Sequence, residues 1–189
     1  GRFENTDGAP DWQGWTHDDF TTADNVSPWH VSDERVLVGN YSMVCGDEVL
    51  TQGGLEFGYG NDWKTALLFI HTVDDPGVSS QLRVSGRLYV DAEPDYDYVY
   101  LQLSRSTGWT PIDADAVWDG VGNHSFDFTT TVATRDYTGT NGNEIHVRFY
   151  FESDGGYSDE DGFYESDGPC WLDNLLVEVN GVQSDYEDF

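Results

Sequence analysis

Hydrophobic and polar residues alternate along many short segments of the chain. In residues 144–151, Ile145, Val147 and Phe149 share one face, and a period of two is that of a β-strand with one buried side. The same alternation or a short apolar run predicts further strands at residues 35–40, 65–72, 81–90, 97–103, 124–132 and 171–179. Glycine, aspartate and asparagine separate these runs, and no window keeps a helical period for three turns. The pattern predicts an all-β fold: a two-sheet antiparallel β-sandwich of the jelly-roll type.

The length and composition fit one domain. The chain has 189 residues, of which 38% are hydrophobic and 15% aromatic, enough to fill the core of a single β-sandwich. No internal repeat or Pro-rich linker divides it. We therefore expect one domain over residues 1–181 and an acidic tail, or the start of a linker, over residues 182–189. Because the chain starts at Gly1 rather than Met, we interpret it as a mature protein or a piece of a longer, multidomain parent.

The net charge of the chain argues against two classes of binding partner. The chain carries 36 acidic and 8 basic residues, for a net charge of −28. Such a surface repels phosphate backbones and anionic membranes, so we expect no nucleic-acid partner and no membrane insertion. No apolar run approaches the length of a membrane helix. The excess of acids fits two hypotheses, which are compatible: a halophilic or marine source, in which salt screens the repulsion, and metal binding.

Two cysteines, Cys45 and Cys170, are present. In an extracellular domain such a pair predicts one disulfide. Two buried free thiols are the alternative.

Two groups of acids are candidate calcium ligands, since calcium takes six to eight oxygens from carboxylates and carbonyls. Glu4 and Asp173 lie near the two ends of the domain, where terminal strands of a jelly roll can meet. The second group lies in the glycine-rich, acidic segment 153–168 and consists of Asp154, Asp159, Asp161 and Asp167. The alternative for both groups is a set of solvated acids.

Aromatic residues form a candidate ligand-binding surface. Tyr98 and Tyr100 lie on the face of their strand opposite Val99, and Trp109 and Trp118 follow in nearby loops. Flat aromatic rings can stack on sugar rings, and ordinary core packing is the alternative.

Motifs of common enzyme classes are missing. The sequence has no Gly-x-Ser-x-Gly elbow, no His-Glu-x-x-His pair and no phosphate-binding loop, and its five histidines are scattered. Pairs of acidic residues are so numerous that no single pair identifies the active site of a glycosidase. We therefore expect no catalytic residue.

Several segments together resemble known extracellular modules. Residues 44–47, 57–63, 93–109 and 157–174 are similar, in this order, to segments of MAM-like domains, which occur beside secreted bacterial metalloproteases of the immune-inhibitor type. Phe3-Glu4 near the start and Asp173-Asn174 near the end resemble carbohydrate-binding modules of similar fold. The resemblance implies a jelly roll, an accessory role in a secreted protein and a structural calcium held by Glu4 and Asp173. Residues 110–118 depart from the usual central hairpin, which puts a binding surface there in doubt.

The leading hypothesis is a calcium-stabilised, non-catalytic accessory module of a secreted protein that binds polysaccharide or cell-surface glycan. A structural or adhesive spacer with protein contacts is the second hypothesis. A sandwich-type polysaccharide lyase or glycosidase is the third. The step from fold to ligand is an analogy in each case.

Overall fold

The computed structural model describes residues 12, 14–21, 29–50 and 57–183. In these residues the chain forms twelve β-strands and one short 3-10 turn, Thr134–Asp136. The strands are β1 Thr16–Asp19, β2 Trp29–Ser32, β3 Ser42–Cys45, β4 Lys64–Thr72, β5 Ser80–Asp91, β6 Tyr98–Arg105, β7 Gly108–Pro111, β8 Val117–Trp118, β9 Val121–Val132, β10 Glu144–Glu152, β11 Cys170–Val179 and β12 Val182–Gln183.

The strands form two sheets in which all pairs are antiparallel. Sheet 1 has the order β1-β4-β10-β6-β7, and β8 also pairs with β6. Sheet 2 has the order β2-β3-β11-β5-β9, and β12 pairs with β11. In chain order, the strands change sheet at β1–β2, β3–β4, β4–β5, β5–β6, β8–β9, β9–β10 and β10–β11. This architecture confirms the predicted two-sheet antiparallel jelly roll.

The main core lies between the two sheets. The apolar residues of the predicted alternation supply it, as Ile145, Val147 and Phe149 of β10 are all buried. Phe126 of β9, in sheet 2, contacts Phe149 of sheet 1 with a ring-centroid distance of 5.7 Å. Each large side chain buried here stabilises the fold by roughly 1.5–3 kcal/mol.

A second, smaller core lies on the outer face of sheet 2. It consists of Val44, Phe57, Tyr89 and Trp171. Residues 33–41, which we call the covering loop, lie against it: Leu37 packs on the cluster, and the Arg35 guanidinium lies 4.0 Å from the centre of the Tyr89 ring. The outer face of sheet 2 is therefore closed to solvent at this end.

The covering loop corrects one strand prediction, because residues 35–40 form bends rather than a strand. The Leu37 N–H donates to Ser42 Oγ, and the Val38 N–H donates to a carboxylate oxygen of Asp173. Gly39 has a φ of +81°, which ends any extended run. The adjacent segment Ser42–Cys45 forms the strand instead.

The end of the domain also differs from the prediction. Val182 pairs with Val179, and Gln183 with Glu178, so that β12 forms a hairpin with β11. The domain therefore extends at least to residue 183, two residues beyond the predicted boundary. The remainder of the predicted tail, residues 184–189, lies outside the described residues.

Cys45 and Cys170 are direct partners across the β3–β11 pair. Both are buried free thiols in this structure, and burial raises their pKa well above the usual value. The register supplies the proximity that a disulfide needs, and the bond itself stays a prediction. No helix in the described part of the chain is long and apolar enough to cross a membrane.

Candidate functional site

The outer face of sheet 1 carries a group of aromatic and polar side chains. The strand alternation that sends Val99, Leu101 and Phe149 into the core turns their neighbours outward. Register then aligns the outward residues of β6 and β10: Tyr98 is opposite Glu152, Tyr100 opposite Tyr150 and Gln102 opposite Arg148. We call Tyr98, Tyr100, Tyr150, Arg148 and Trp109 the aromatic face.

The rings of the aromatic face are neighbours. The centroids of Tyr98 and Tyr100 are 5.8 Å apart, and those of Tyr100 and Tyr150 are 6.2 Å apart. All three residues are half-buried, so that each keeps part of its surface open to solvent. These spacings lie in the range in which aromatic rings support one another.

Arg148 joins the tyrosines to Trp109. Its guanidinium lies 4.3 Å from the centre of the Tyr150 ring and 4.2 Å from that of Trp109, distances that favour a cation–π interaction. Its Nε donates to Gln102 Oε1 at 2.8 Å. Arg148 therefore fixes Trp109, which the hairpin β6–β7 places opposite Ser104.

The tyrosine hydroxyls are protonated donors at neutral pH. Burial and the Glu152 carboxylate raise the pKa of Tyr100 and of Tyr150. The Tyr100 hydroxyl donates to Glu152 Oε1 at 3.0 Å, and that of Tyr98 donates to the Asp95 carbonyl at 2.8 Å. These bonds fix the orientation of the two rings.

The aromatic face is elongated. From Tyr98 to Ser104, opposite Trp109, there are six residue steps, or about 20 Å at the rise of a β-strand. Ring faces, hydroxyls, an amide and a guanidinium alternate over this length. Such a surface can pack against the apolar side of a flat ligand and bond with its hydroxyl groups.

The prediction that Trp118 belongs to this surface is wrong. Trp118 is only 8% exposed and lies in the main core. Its ring contacts Phe126 and Phe128 of sheet 2, because its register partner on β6 is the inward-facing Val99. Tyr98, Tyr100 and Trp109 do lie together on the outer face, and their role as ligand-binding residues stays a prediction.

Sequence reasoning missed Tyr150 and Arg148. Both alternate with Val147, Phe149 and Phe151 on the predicted strand 144–151, so the pattern already placed them on an outer face. That this face lies beside the one carrying Tyr100 required the pairing of β10 with β6.

The four predicted ligands of segment 153–168 do not converge. Asp159 is buried, and its carboxylate accepts from Tyr59 N, Ser166 N and Ser166 Oγ. Asp161 is exposed and accepts from three backbone N–H groups of its own loop. Asp167 forms an ion pair with Arg35 at 2.6 Å. These three carboxylates serve to fold the loop.

Asp154 lies apart from them, beside Glu93 and Asp97. Of the described residues, these three are the group whose carboxylate oxygens come within 4.8 Å of one another. Burial raises the pKa of Asp97 and of Glu93, and the charges of neighbouring acids raise both further. The group therefore places three carboxylates close together, with Asp97 buried, Glu93 half-buried and Asp154 exposed.

Asp173 is buried beneath the covering loop. Its Oδ2 accepts from the Val38 N–H and from Ser42 Oγ at 3.1 Å, and its Oδ1 accepts from the Asn174 N–H at 2.6 Å. Burial raises its pKa, although these donors offset part of the effect. Its predicted calcium partner Glu4 lies outside the described residues, so calcium at this pair stays a prediction.

Comparison with known proteins shows the fold. No protein-family model and no curated protein matches the sequence. The chain is similar to the CBM22-1 xylan-binding domain of Xyn10C from Paenibacillus barcinonensis, with a TM-score of 0.50 and 12% identity over 94% of this chain and 90% of that chain.

Two further solved structures are similar at lower scores. One is the family 11 carbohydrate-binding module of the cellulase Lic26A-Cel5E of Clostridium thermocellum, with a TM-score of 0.44 and 9% identity over 93% of this chain and 91% of that one. The other is the enzymatically active domain of tailspike protein 4 of bacteriophage CBA120, with a TM-score of 0.47 and 12% identity over 95% of this chain. The chain spans 20% of the length of that tailspike chain. At these identities the likeness is one of fold: a β-sandwich like that of carbohydrate-binding modules.

Proposed function

We propose that this domain is a non-catalytic accessory module that binds a neutral polysaccharide or cell-surface glycan along the aromatic face. The observation that carries the proposal is the open row of Tyr98, Tyr100 and Tyr150, continued by Arg148 to Trp109. Rings that keep one side exposed on a rigid sheet can stack on sugar rings with little loss of side-chain entropy.

The charge of the chain favours a neutral ligand. A net charge of −28 repels uronate-rich or sulfated chains, and this repulsion is strongest at low salt. Hydroxyl groups of a neutral sugar suit the donors and acceptors present, which include Gln102, Glu152 and the tyrosine hydroxyls.

The length of the face supports a chain rather than a single sugar. About 20 Å of β-strand separates Tyr98 from the level of Trp109. The xylan-binding domain of Paenibacillus barcinonensis, which shares this fold, binds a polysaccharide according to its name, and this likeness supports the same class of ligand here.

The setting of the domain is part of the same proposal. The resemblance to extracellular accessory modules supports a secreted multidomain parent, and the missing enzyme motifs support a non-catalytic role. The proposal also includes one calcium ion bound by Glu4 and Asp173, because the resemblance to extracellular accessory modules implies this site.

Affinity for soluble glycans tests the proposal. Wild-type protein is titrated calorimetrically with xylan, mannan and β-1,4-galactan, in excess EGTA and again with calcium. Tyr100→Ala and Tyr150→Ala each should weaken binding at least about tenfold, because a lost ring contact is worth upwards of ~1.4 kcal/mol. Phe163→Ala is the matched control, since Phe163 is 70% exposed and lies in the acidic loop, away from the aromatic face.

Two outcomes contradict the proposal. Binding that survives both tyrosine substitutions, in variants with wild-type melting curves, removes the aromatic face as the site. Release of reducing ends from any of these polysaccharides by the isolated domain replaces the module with an enzyme.

A further inference from the structure

A pocket opens on the outer face of sheet 2, beside the covering loop and on the other side of the sandwich from the aromatic face. Its volume is about 290 Å³, and Val36 and Leu37 of the covering loop line one part of it. Arg87 of β5 and Asn123 and Ser125 of β9 supply its polar side chains. A pocket of this size holds one small molecule rather than a chain.

The pairing of β5 with β9 brings these polar side chains together. Arg87 lies opposite Ser125, and Asn123 is two residues before Ser125 on the same face of β9. The strand alternation sends their neighbour Leu88 into the main core, whereas Arg87, Asn123 and Ser125 are exposed. The sheet therefore presents a guanidinium, an amide and a hydroxyl side by side to solvent.

Arg87 differs from the other arginines that the structure describes. Four of them form ion pairs with acids and one donates to a glutamine: Arg35, Arg83, Arg105 and Arg135 form the ion pairs, and Arg148 bonds to Gln102. Arg87 forms neither an ion pair nor a hydrogen bond with any described residue. In a chain with 36 acidic and 8 basic residues, an arginine without an acidic partner stands out.

The two carboxylates nearest to Arg87 in the register are bound by other groups. Asp173 is its direct partner on β11, and that carboxylate accepts from two backbone N–H groups and one serine hydroxyl. Asp127 lies two residues further along β9 than Ser125, and it accepts from Arg83 at 2.7 and 2.8 Å. The fold therefore leaves the N–H donors of Arg87 available to a ligand.

We propose that this pocket binds the carboxylate of one small ligand, a uronate sugar or a hydroxy acid, with Arg87 as its cation. A guanidinium holds a planar carboxylate through two parallel hydrogen bonds. The described lining residues include one cation and no acid, which matches a single negative charge. A phosphate dianion would keep an uncompensated charge beside an acidic chain.

The remaining lining residues suit the rest of such a ligand. The Asn123 amide and the Ser125 hydroxyl can donate to and accept from hydroxyl groups. Val36 is apolar and 38% exposed, so that the carbon face of a sugar ring can cover it and remove apolar surface from water. A single sugar with a carboxylate therefore uses every kind of group in the pocket.

The net charge of −28 is compatible with this ligand. At physiological ionic strength, exposed charges are screened beyond about 8 Å, so the groups that line the pocket determine its attraction for one carboxylate. A long polyanion spans more of the acidic surface and is repelled. The site is separate from the aromatic face and does not depend on the proposed function.

A titration followed by NMR chemical shifts tests the pocket. Methyl β-glucuronide is the probe, methyl β-glucoside is its neutral match and lactate is a hydroxy acid without a ring. The glucuronide should bind saturably and shift the backbone amide signals of Arg87, Asn123 and Ser125. The glucoside, which lacks the carboxylate, should bind at least about tenfold more weakly. Lactate distinguishes the two sources: binding as tight as that of the glucuronide identifies a hydroxy acid, and weaker binding identifies the sugar.

Two arginine substitutions locate the binding. Arg87→Gln should weaken binding of the glucuronide at least about tenfold, because it removes the charge and the paired donors. Since Arg87 bonds to no described residue, this variant should melt like the wild type. Arg135→Gln is the matched control, because it makes the same change of charge at an arginine whose side chain is 82% exposed and lies outside the pocket. It should bind the glucuronide as the wild type does.

The inference is overturned if Arg87→Gln binds the glucuronide as tightly as the wild type, or if the glucoside and the glucuronide bind equally well. It is also overturned if neither acid binds at tens of millimolar. Tyr100→Ala and Tyr150→Ala should leave glucuronide binding unchanged, and Arg87→Gln should leave binding of neutral polysaccharides unchanged. Failure of this site and failure of the proposed function therefore give different results.

Discussion

The outer faces of the two sheets are made of similar residues and have opposite exposures. Sheet 2 carries Tyr89 and Trp171 with the guanidinium of Arg35 over the tyrosine ring. Sheet 1 carries Tyr100 and Tyr150 with the guanidinium of Arg148 over the second ring. Tyr89 and Trp171 are buried, whereas Tyr100 and Tyr150 are half-open to solvent.

The covering loop makes the difference. It lies on sheet 2 and is held by three groups: the Asp173 carboxylate, the Ser42 hydroxyl and the ion pair of Arg35 with Asp167. No described segment covers Tyr98, Tyr100 and Tyr150 in this way. Aromatic residues on an outer strand face therefore mark either a core or a binding surface, and the covering segment decides which.

The largest expected effect is a difference in lost stability between substitutions on the two outer faces. Trp171→Ala should lower the free energy of unfolding by about 3–5 kcal/mol, because it opens a cavity in a closed cluster. Trp109→Ala, on the open face, should cost about 1 kcal/mol, the value of its contact with Arg148. Urea unfolding followed by far-UV circular dichroism measures both. Equal losses would show that the two faces are built alike.

A smaller effect is expected when the covering loop is released. Asp173→Ala leaves the Val38 and Asn174 N–H groups and the Ser42 hydroxyl without their acceptor, at a cost of about 2–3 kcal/mol. Acrylamide should then quench tryptophan fluorescence more strongly, because Trp171 becomes accessible. Asp127→Ala, which removes an exposed partner of Arg83, serves as the control and should leave quenching unchanged. Unchanged quenching in Asp173→Ala would mean that other contacts hold the loop.

The smallest expected effect is a dependence on pH. Burial raises the pKa of Asp91 and of Asp173 in the folded chain above the usual value of 3.8. The folded state therefore binds protons more tightly than the unfolded state, so that stability should rise as the pH falls from neutral towards those raised values. Melting temperatures measured in EGTA across this range check the sign, and Asp173→Asn should flatten the dependence. A melting temperature that falls throughout would contradict it.

The long strands were predictable because each has enough residues to display alternation. β10 and β6 show it with Val, Leu and Phe on one side, and the structure places these side chains in the core. β7 and β8 were not predictable: Gly108–Pro111 contains both a glycine and a proline, and Val117–Trp118 has only two residues. With two residues there is no pattern to tell which side is buried, and this is why Trp118 was assigned to the wrong surface.

The strand predicted at residues 35–40 was wrong for a different reason. The run Val36-Leu37-Val38 has the apolar character of a strand, but its backbone donors bond to Ser42 and Asp173. Asp173 is 135 residues away from Val38 in the sequence, and no local sequence pattern predicts a contact between them. The meeting of Glu93 and Asp97 with Asp154 is likewise set by the pairing of β6 with β10.

The strand order has a consequence for synthesis of the chain. β10 lies in the middle of sheet 1 and β11 in the middle of sheet 2, yet they are the last two long strands to leave the ribosome. Sheet 1 is split into halves until residue 152 is made, and sheet 2 until residue 179 is made. The inner edges of these halves have unpaired N–H and C=O groups. Folding of the whole sandwich must wait until nearly all of this domain is made, as expected for a fold rich in distant contacts. The mutual repulsion of so acidic a chain keeps these open edges from pairing with other copies in the meantime.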